Sequence, residues 1–260
     1  MYSFELRQPT SIGGAVRALA DGGQILGGGQ TLIPTLKMRL ADPGVLVSLG
    51  RVDSLLGICT DDSGRLCIGG ATTHAAVAEG GGAYPALARL AGRIGDPAVR
   101  NRGTIGGSLA NNDPAACYPA AVLASDAVVS TNARDIAADD FFTGLFETAL
   151  DDGEIITEVK FPVPASAAYA KFLQRASRFA LVGVFVARFA SGVRVAVTGA
   201  SESGVYRWSE AETALSAEFS PSAVDSLSVA PGGMIDDLHG SPEYRAQLVR
   251  VMTSRAVAAC

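Results

Sequence analysis

The chain has 260 residues, 48% hydrophobic and only 18% charged, which excludes a disordered polymer and leaves apolar material for one large core or two smaller ones. Lys and Arg number 21 against 26 Asp and Glu, a formal net charge of −5, so the broad cationic footprint of a nucleic-acid or anionic-membrane binder is absent. Glycine is in excess, with 30 residues where roughly 7% is usual, and it lacks the every-third-residue spacing of collagen.

In chain order, MYSFELRQPT lacks the basic start and apolar stretch of a secretory leader. Ser11 to Ala20 reads as a capped helix, and Gln24 to Leu26 as a short strand that ends in Gly27-Gly28-Gly29. Thr31 to Leu40 has a helical apolar pattern with Pro34 in its first turn, where a missing N–H costs little. Val45 to Leu49 is a buried strand. Leu55 to Thr60 and Leu66 to Gly69 form a hairpin around Asp61-Asp62-Ser63-Gly64. Helices follow near Ala75 to Ala78 and over Pro85 to Gly92, then an irregular stretch from Gly95 to Pro119.

A helix near Ala120 to Ala124, a strand at Ala127 to Ser130 and a short helix over Asp139 to Leu145 lead to a change of character near Pro162. Beyond it come three strands (Tyr169 to Leu173, Val182 to Phe189, Val193 to Val197), then helices at Glu210 to Leu215, Ala223 to Leu227 and Glu243 to Ala258. Strands followed by helices read as an α+β module, so the chain divides into residues 1–161 and 162–260. The apolar run Phe179 to Ala187 is too short to span a bilayer, and a cytoplasmic protein without a membrane span is expected.

Two glycine clusters bear on chemistry: Leu26-Gly27-Gly28-Gly29-Gln30-Thr31 and Thr104-Ile105-Gly106-Gly107-Ser108. Consecutive glycines let a ligand approach backbone N–H groups, and such groups before a helix can bind phosphate without a basic side chain. Hydroxyls of Thr31, Thr104 and Ser108 supplement them, and two such loops suit a dinucleotide. A single glycine run is more often a tight turn. Leu32 also stands where a Rossmann fingerprint needs its third glycine, and no Gly-Lys-Ser/Thr follows for a P-loop.

Four ordered blocks are more specific: LGGGQTLIPTLKMRL (26–40), IGGATTHAAVA (68–78), GDPAVRNRGTIGGSLANNDP (95–114) and GEIITEVKFPVP (153–164). Together they resemble the FAD-binding medium subunit of the molybdenum hydroxylases, over nearly the whole chain. The resemblance implies an α+β fold: a two-subdomain α/β FAD-binding domain, then a smaller C-terminal domain of antiparallel strands and helices. It implies that Leu26 to Leu32 and Thr104 to Ser108 wrap the FAD diphosphate and ribityl chain. It further implies that Ile94, Gly95 and Asp96 pass the cofactor and that Asp113 follows the second loop. Ile156 would pack near the isoalloxazine and Lys171 approach its polar edge. Three positions depart from the family pattern: Ser108 replaces Asn, Cys117 replaces Asp, and Phe179 replaces a Tyr found in some relatives.

The implied role is electron transfer from the iron–sulfur clusters of a small 2Fe-2S subunit, fed by a large molybdopterin-binding subunit, through FAD to an external acceptor. The expected assembly is a dimer of heterotrimers. A free-standing flavin oxidoreductase and a scaffold that has lost FAD are the rival readings. His74 and His239 lie far apart and no cysteine pair has CxxC spacing, so neither a catalytic triad nor a metal centre is expected. Cys59 and Cys67 face one another across the expected hairpin and read as ordinary free cysteines. Arg89, Arg93, Arg100 and Arg102 form a basic cluster, either solvated or in contact with FAD phosphate or a partner. Asp139 and Asp140 read as helix-capping acids.

Overall fold

Three sheets in succession organise the chain, as seen in a computed structural model that describes residues 1–260. The first is a small parallel sheet of β1 (Glu5–Arg7), β2 (Gln24–Leu26) and β3 (Val45–Ser48), ordered β1-β3-β2. Helix α1 (Ile12–Ala20) joins β1 to β2, with Ser11 capping its N-terminus by accepting the Gly14 N–H at 3.1 Å. Ala15 and Ala18 of α1 share a core with Val47 and Leu49. Helix α2 (Leu32–Lys37) joins β2 to β3.

The second sheet is antiparallel. It contains β4 (Ile58–Thr60), β5 (Leu66–Gly69), β6 (Val128–Thr131), β7 (Asp135–Ala137) and β10 (Ile156–Phe161), in the order β4-β5-β10-β6-β7. Between β5 and β6 run α3 (His74–Gly80), α4 (Pro85–Gly92), α5 (Pro97–Arg100), α6 (Ile105–Asn111) and α7 (Tyr118–Ala124). Helix α8 (Ala138–Phe141) and the ribbon β8 (Phe142–Gly144) with β9 (Glu147–Thr148) come before β10. The third sheet is a meander of β11 (Ser166–Leu173), β12 (Ala180–Phe189), β13 (Gly192–Ser201) and β14 (Gly204–Arg207). Helices α9 (Ser209–Ala217) and α10 (Pro242–Ala258) cover one of its faces, through a core that includes Val182, Val195, Leu215 and Val249.

The other face of the meander meets α7, all seven residues of which are buried. A helix that is apolar all round has no solvent side to offer, and here the second and third sheets enclose it. The 28-residue core around α7 therefore takes Ile68, Val129 and Ile156 from one sheet and Phe185, Ala187 and Ala196 from the other. No helix is long and apolar enough to cross a membrane.

Several expected elements differ in detail. The stretch from Gly95 to Pro119 is not irregular: it holds α5 and α6, capped by Asp96 on the Val99 N–H and by Thr104 on the Gly107 N–H. Helices this short complete too few turns to display a 3.6-residue period. The helix expected at Asp139 to Leu145 stops at Phe141, because Phe142–Gly144 pairs with β9. Asp139 is not a cap: it pairs with Arg194 of β13, and with Arg207 of β14 at 3.2 Å. The helix expected at Ala223 to Leu227 is a single 3-10 turn, Pro221–Val224. The helix expected from Thr31 to Leu40 is confined to Leu32–Lys37, and the hairpin begins at Ile58 rather than Leu55.

Candidate functional site

The first glycine loop leaves β2 at half-buried Leu26 and enters α2 at Leu32. The backbone N–H groups of Gly27, Gly28, Gly29, Gln30 and Thr31 donate to no protein acceptor, and the Thr31 side chain does not cap the helix. The loop's carbonyls are engaged instead: Gly29 accepts the Ile33 N–H at 3.0 Å and Thr31 the Thr35 N–H at 3.2 Å. Gly29 has φ +73°, a conformation that L-residues avoid. A row of free backbone donors in a turn is an anion-binding arrangement.

The second cluster is built differently. All N–H groups from Ile105 to Ser108 are already bonded: Ile105 to the Thr72 carbonyl, Gly106 to the Gly70 carbonyl, Gly107 to Thr104 Oγ1 and Ser108 to the Thr104 carbonyl. The expectation that both loops present free N–H groups therefore holds only for the first. Gly106 is buried, and a β-carbon there would come within 2.5 Å of the Gly70 carbonyl oxygen, so only glycine fits. Gly107 is exposed, and a β-carbon on Gly27 would lie 3.8 Å from its Cα and 3.1 Å from Thr104 Oγ1. The two clusters thus lie side by side along one narrow cleft line, the free donors of the first next to the glycine surface of the second. Ser108 is half-buried beside it.

Asp96 and Asp113 are committed to backbone. Asp96 accepts the Val99 N–H at 2.9 Å, and Asp113 accepts the Ala115 N–H at 2.8 Å, which turns the chain toward α7. Ile94 and Gly95 give their carbonyls to Arg100, at 3.1 and 3.0 Å. None of Arg89, Arg93, Arg100 and Arg102 pairs with a carboxylate of this chain.

A second polar group lies where the third sheet meets the helices. Lys171 of β11 is 8% exposed, and its Nζ donates to the Arg93 carbonyl at 2.8 Å and the Arg178 carbonyl at 3.0 Å, with Cys117 Sγ at 3.6 Å. No carboxylate neutralises this ammonium. The Tyr169 hydroxyl is buried nearby without a hydrogen-bond partner, and burial raises its pKa well above the usual phenol value. The structure thus brings Lys171 and Cys117 together. It puts Ile156 in the main core, 6% exposed, and leaves Phe179 57% exposed on the turn after β11.

Sequence reading gave little weight to four residues that shape the cleft. Gly70 accepts the Gly106 N–H, and a side chain on it would overlap the Ile156 carbonyl. Gly103 accepts the His74 N–H at 2.9 Å. His74 is 5% exposed, its Nδ1 has no partner, and its ring centroid lies 5.3 Å from that of Tyr118. Burial, then the Arg100 charge, pushes the His74 pKa down to about 4. The second glycine of Gly69-Gly70 was the available signal, an invitation to close backbone approach at the end of a strand.

Free N–H groups, an open glycine wall and unpaired arginines fit an anionic diphosphate, and the buried ammonium fits an electron-rich polar group. Comparison with known proteins agrees. The family described as "FAD binding domain in molybdopterin dehydrogenase" matches residues 2–164. The chain is 35% identical to the nicotine 6-hydroxylase medium subunit of Paenarthrobacter nicotinovorans, over 96% of this chain and 94% of that one. It is 31% identical to the carbon monoxide dehydrogenase medium chain of Hydrogenophaga pseudoflava, over 98% and 96%. A solved carbon monoxide dehydrogenase structure from Hydrogenophaga pseudoflava superposes with a TM-score of 0.88 at 31% identity, covering 99% of this chain and 97% of that one.

Proposed function

This chain belongs to the FAD-binding subunits of the molybdenum hydroxylases, and from that premise we propose that it seats FAD in the cleft between its two glycine clusters and serves as the outlet for electrons of a larger complex. When bound, FAD supplies the chemistry, accepting electrons singly and releasing them as a pair. The residues of this chain bind and orient it. The free N–H groups of Gly27 to Thr31 hold the diphosphate, and Gly107 offers a surface without a side chain for close approach. The Ser108 hydroxyl supplements them. The Lys171 ammonium, fixed by two carbonyls, presents positive charge to the polar edge of the flavin.

A large molybdopterin-binding subunit, where the organic substrate is oxidised, and a small 2Fe-2S subunit that relays electrons are the partners of this reading. They assemble as a dimer of heterotrimers in the cytoplasm. Four free cysteines suit a reducing compartment.

The row of unpaired donors from Gly27 to Thr31 carries the proposal. Flavin fluorescence titration of the purified chain tests it, with FAD compared against FMN, which lacks the diphosphate bridge. FAD is expected to bind at least about tenfold more tightly, a difference of about 1.4 kcal/mol. Gly27→Ala, which adds a methyl on the cleft wall, is expected to remove most of that preference. Equal binding of FAD and FMN, or a Gly27→Ala variant with unchanged preference, would overturn the placement.

A further inference from the structure

The outer face of the five-stranded sheet carries a second cluster, which the flavin reading does not use. Along β5, Leu66 and Ile68 enter the main core while Cys67 points to the other face; along β10, Val159 and Phe161 enter it and Glu158 does not. The β4–β5 register sets Cys59 directly opposite Cys67, and β10 pairs with β5 so that Glu158 stands opposite Gly69. As a result the Sγ atoms of Cys59 and Cys67 and a carboxylate oxygen of Glu158 all lie within 4.8 Å of one another.

These donors are not otherwise employed. Glu158 accepts no protein hydrogen bond. Its nearest cation, Lys160 Nζ, is 3.9 Å away and closer to Asp135, at 3.5 Å. Cys67 makes only a 3.8 Å contact with the Arg65 carbonyl, and Cys59 is exposed and unbonded. Lys160 stands opposite Cys67 on β10, so one cation already borders the cluster without bonding to either sulfur.

We propose that Cys59, Cys67 and Glu158 form a three-ligand site for one thiophilic divalent cation of the zinc class, with water in the fourth position. Zinc–sulfur and zinc–oxygen bonds of about 2.3 and 2.1 Å around a tetrahedral centre place donors roughly 3.5–3.8 Å apart. The observed spread needs a contraction of about 1 Å, which a rotation of exposed Cys59 supplies. Binding exchanges two S–H bonds for two sulfur–metal bonds and releases two protons to solvent, with no redox change. Two thiolates and one carboxylate select zinc or cadmium over magnesium or calcium.

Cobalt(II) is the spectroscopic probe. The reduced, full-length chain titrated with Co²⁺ is expected to develop a near-ultraviolet thiolate-to-cobalt band and visible bands of tetrahedral cobalt, saturating at one equivalent and reversed by Zn²⁺. Exposed Cys59→Ser is expected to abolish the two-thiolate signature and weaken binding at least about tenfold; Glu158→Gln is expected to keep the sulfur band while weakening binding by a similar factor. Circular dichroism of both variants confirms folding. A featureless titration, or a sulfur band whose intensity and affinity are unchanged by Cys59→Ser, would overturn the site. So would a Cys59–Cys67 disulfide that persists under the reducing conditions.

Discussion

Gly28 and Arg102 meet backbone to backbone: a β-carbon on Gly28 would overlap the Arg102 carbonyl oxygen. This contact locks the first glycine loop onto the segment that introduces the second, so Gly28 serves the joint between loops and Gly27 faces the cleft. Gly28→Ala is expected to cost about 1–3 kcal/mol of stability without any flavin present, as overpacking does. Gly27→Ala, whose β-carbon would crowd only the Thr104 hydroxyl, at 3.1 Å, is expected to cost less than Gly28→Ala. Urea denaturation of the two flavin-free variants separates the roles, and equal losses would refute the distinction.

Lys171 binds two carbonyls from different parts of the chain, Arg93 after α4 and Arg178 in the turn that carries Phe179. Lys171→Met keeps the aliphatic stem but removes both donors. It is expected to destabilise the chain by about 1.5–3 kcal/mol, the range for hydrogen bonds to charged groups. Hydrogen exchange should quicken over residues 174–179, and protection equal to that of the parent would show that the turn holds by itself.

Cys117→Asp tests the neighbouring position. A carboxylate there is expected to tighten FAD binding by about one to two decades, the value of one charged hydrogen bond of about 1.5–3 kcal/mol. Fluorescence titration reads this directly. A gain in thermal stability without tighter FAD binding would show that Lys171 takes up the new carboxylate for itself.

His74 sets a pH dependence. Its folded-state pKa of about 4 lies below the ordinary 6.5, so the unfolded chain binds the extra proton first as pH falls. The associated stability is complete above about pH 6.5 and is lost as pH falls from there to about 4, by about 3 kcal/mol in all. Unfolding free energies from urea titrations at pH 7 and pH 5 are expected to converge by about 2 kcal/mol in His74→Gln relative to the parent. An unchanged pH slope in the variant would assign the dependence to carboxylates elsewhere.

Asp139 joins α8 to the third sheet by accepting from Arg194 and Arg207, while those arginines keep Asp126 at 3.1 Å and Glu212 at 2.7 Å as further partners. Because Asp139 is partly exposed and both arginines retain a carboxylate, Asp139→Ala is expected to cost only about 0.5–1 kcal/mol, and less at high salt. Thermal melts at low and high ionic strength check it. A salt-independent loss of several kcal/mol would mean that the carboxylate is structural in another way.

Much of this was legible in the sequence. Pro85 at the start of α4, the strand-then-helix order after Pro162, and the helical run from Glu243 to Ala258 are local signals, and the elements they announce are present. What stayed hidden is non-local. The insertion of β10 between β5 and β6 pairs Val159 with Ile68 and Val129, partners far away in sequence. Gly106 looks like an open phosphate loop until Gly70, from another block, takes its N–H. Cys59 and Cys67 show their pairing through the hairpin, but Glu158 joins them only once β10 has found its place.

The enclosure of α7 bears on motion. A core shared by Ile156 on one side and Phe185 on the other leaves no greased plane on which two halves could slide, and freedom between modules requires a small or polar contact. The meander and the second glycine cluster, whose Ile105 lies in the same core, therefore travel as one body. Electron tunnelling falls off steeply with separation, so for the proposed redox partner a fixed frame turns docking against the second or third sheet into a fixed donor–acceptor distance. On the proposed role as an electron outlet, the rate of relay across this part of the chain is decided at assembly.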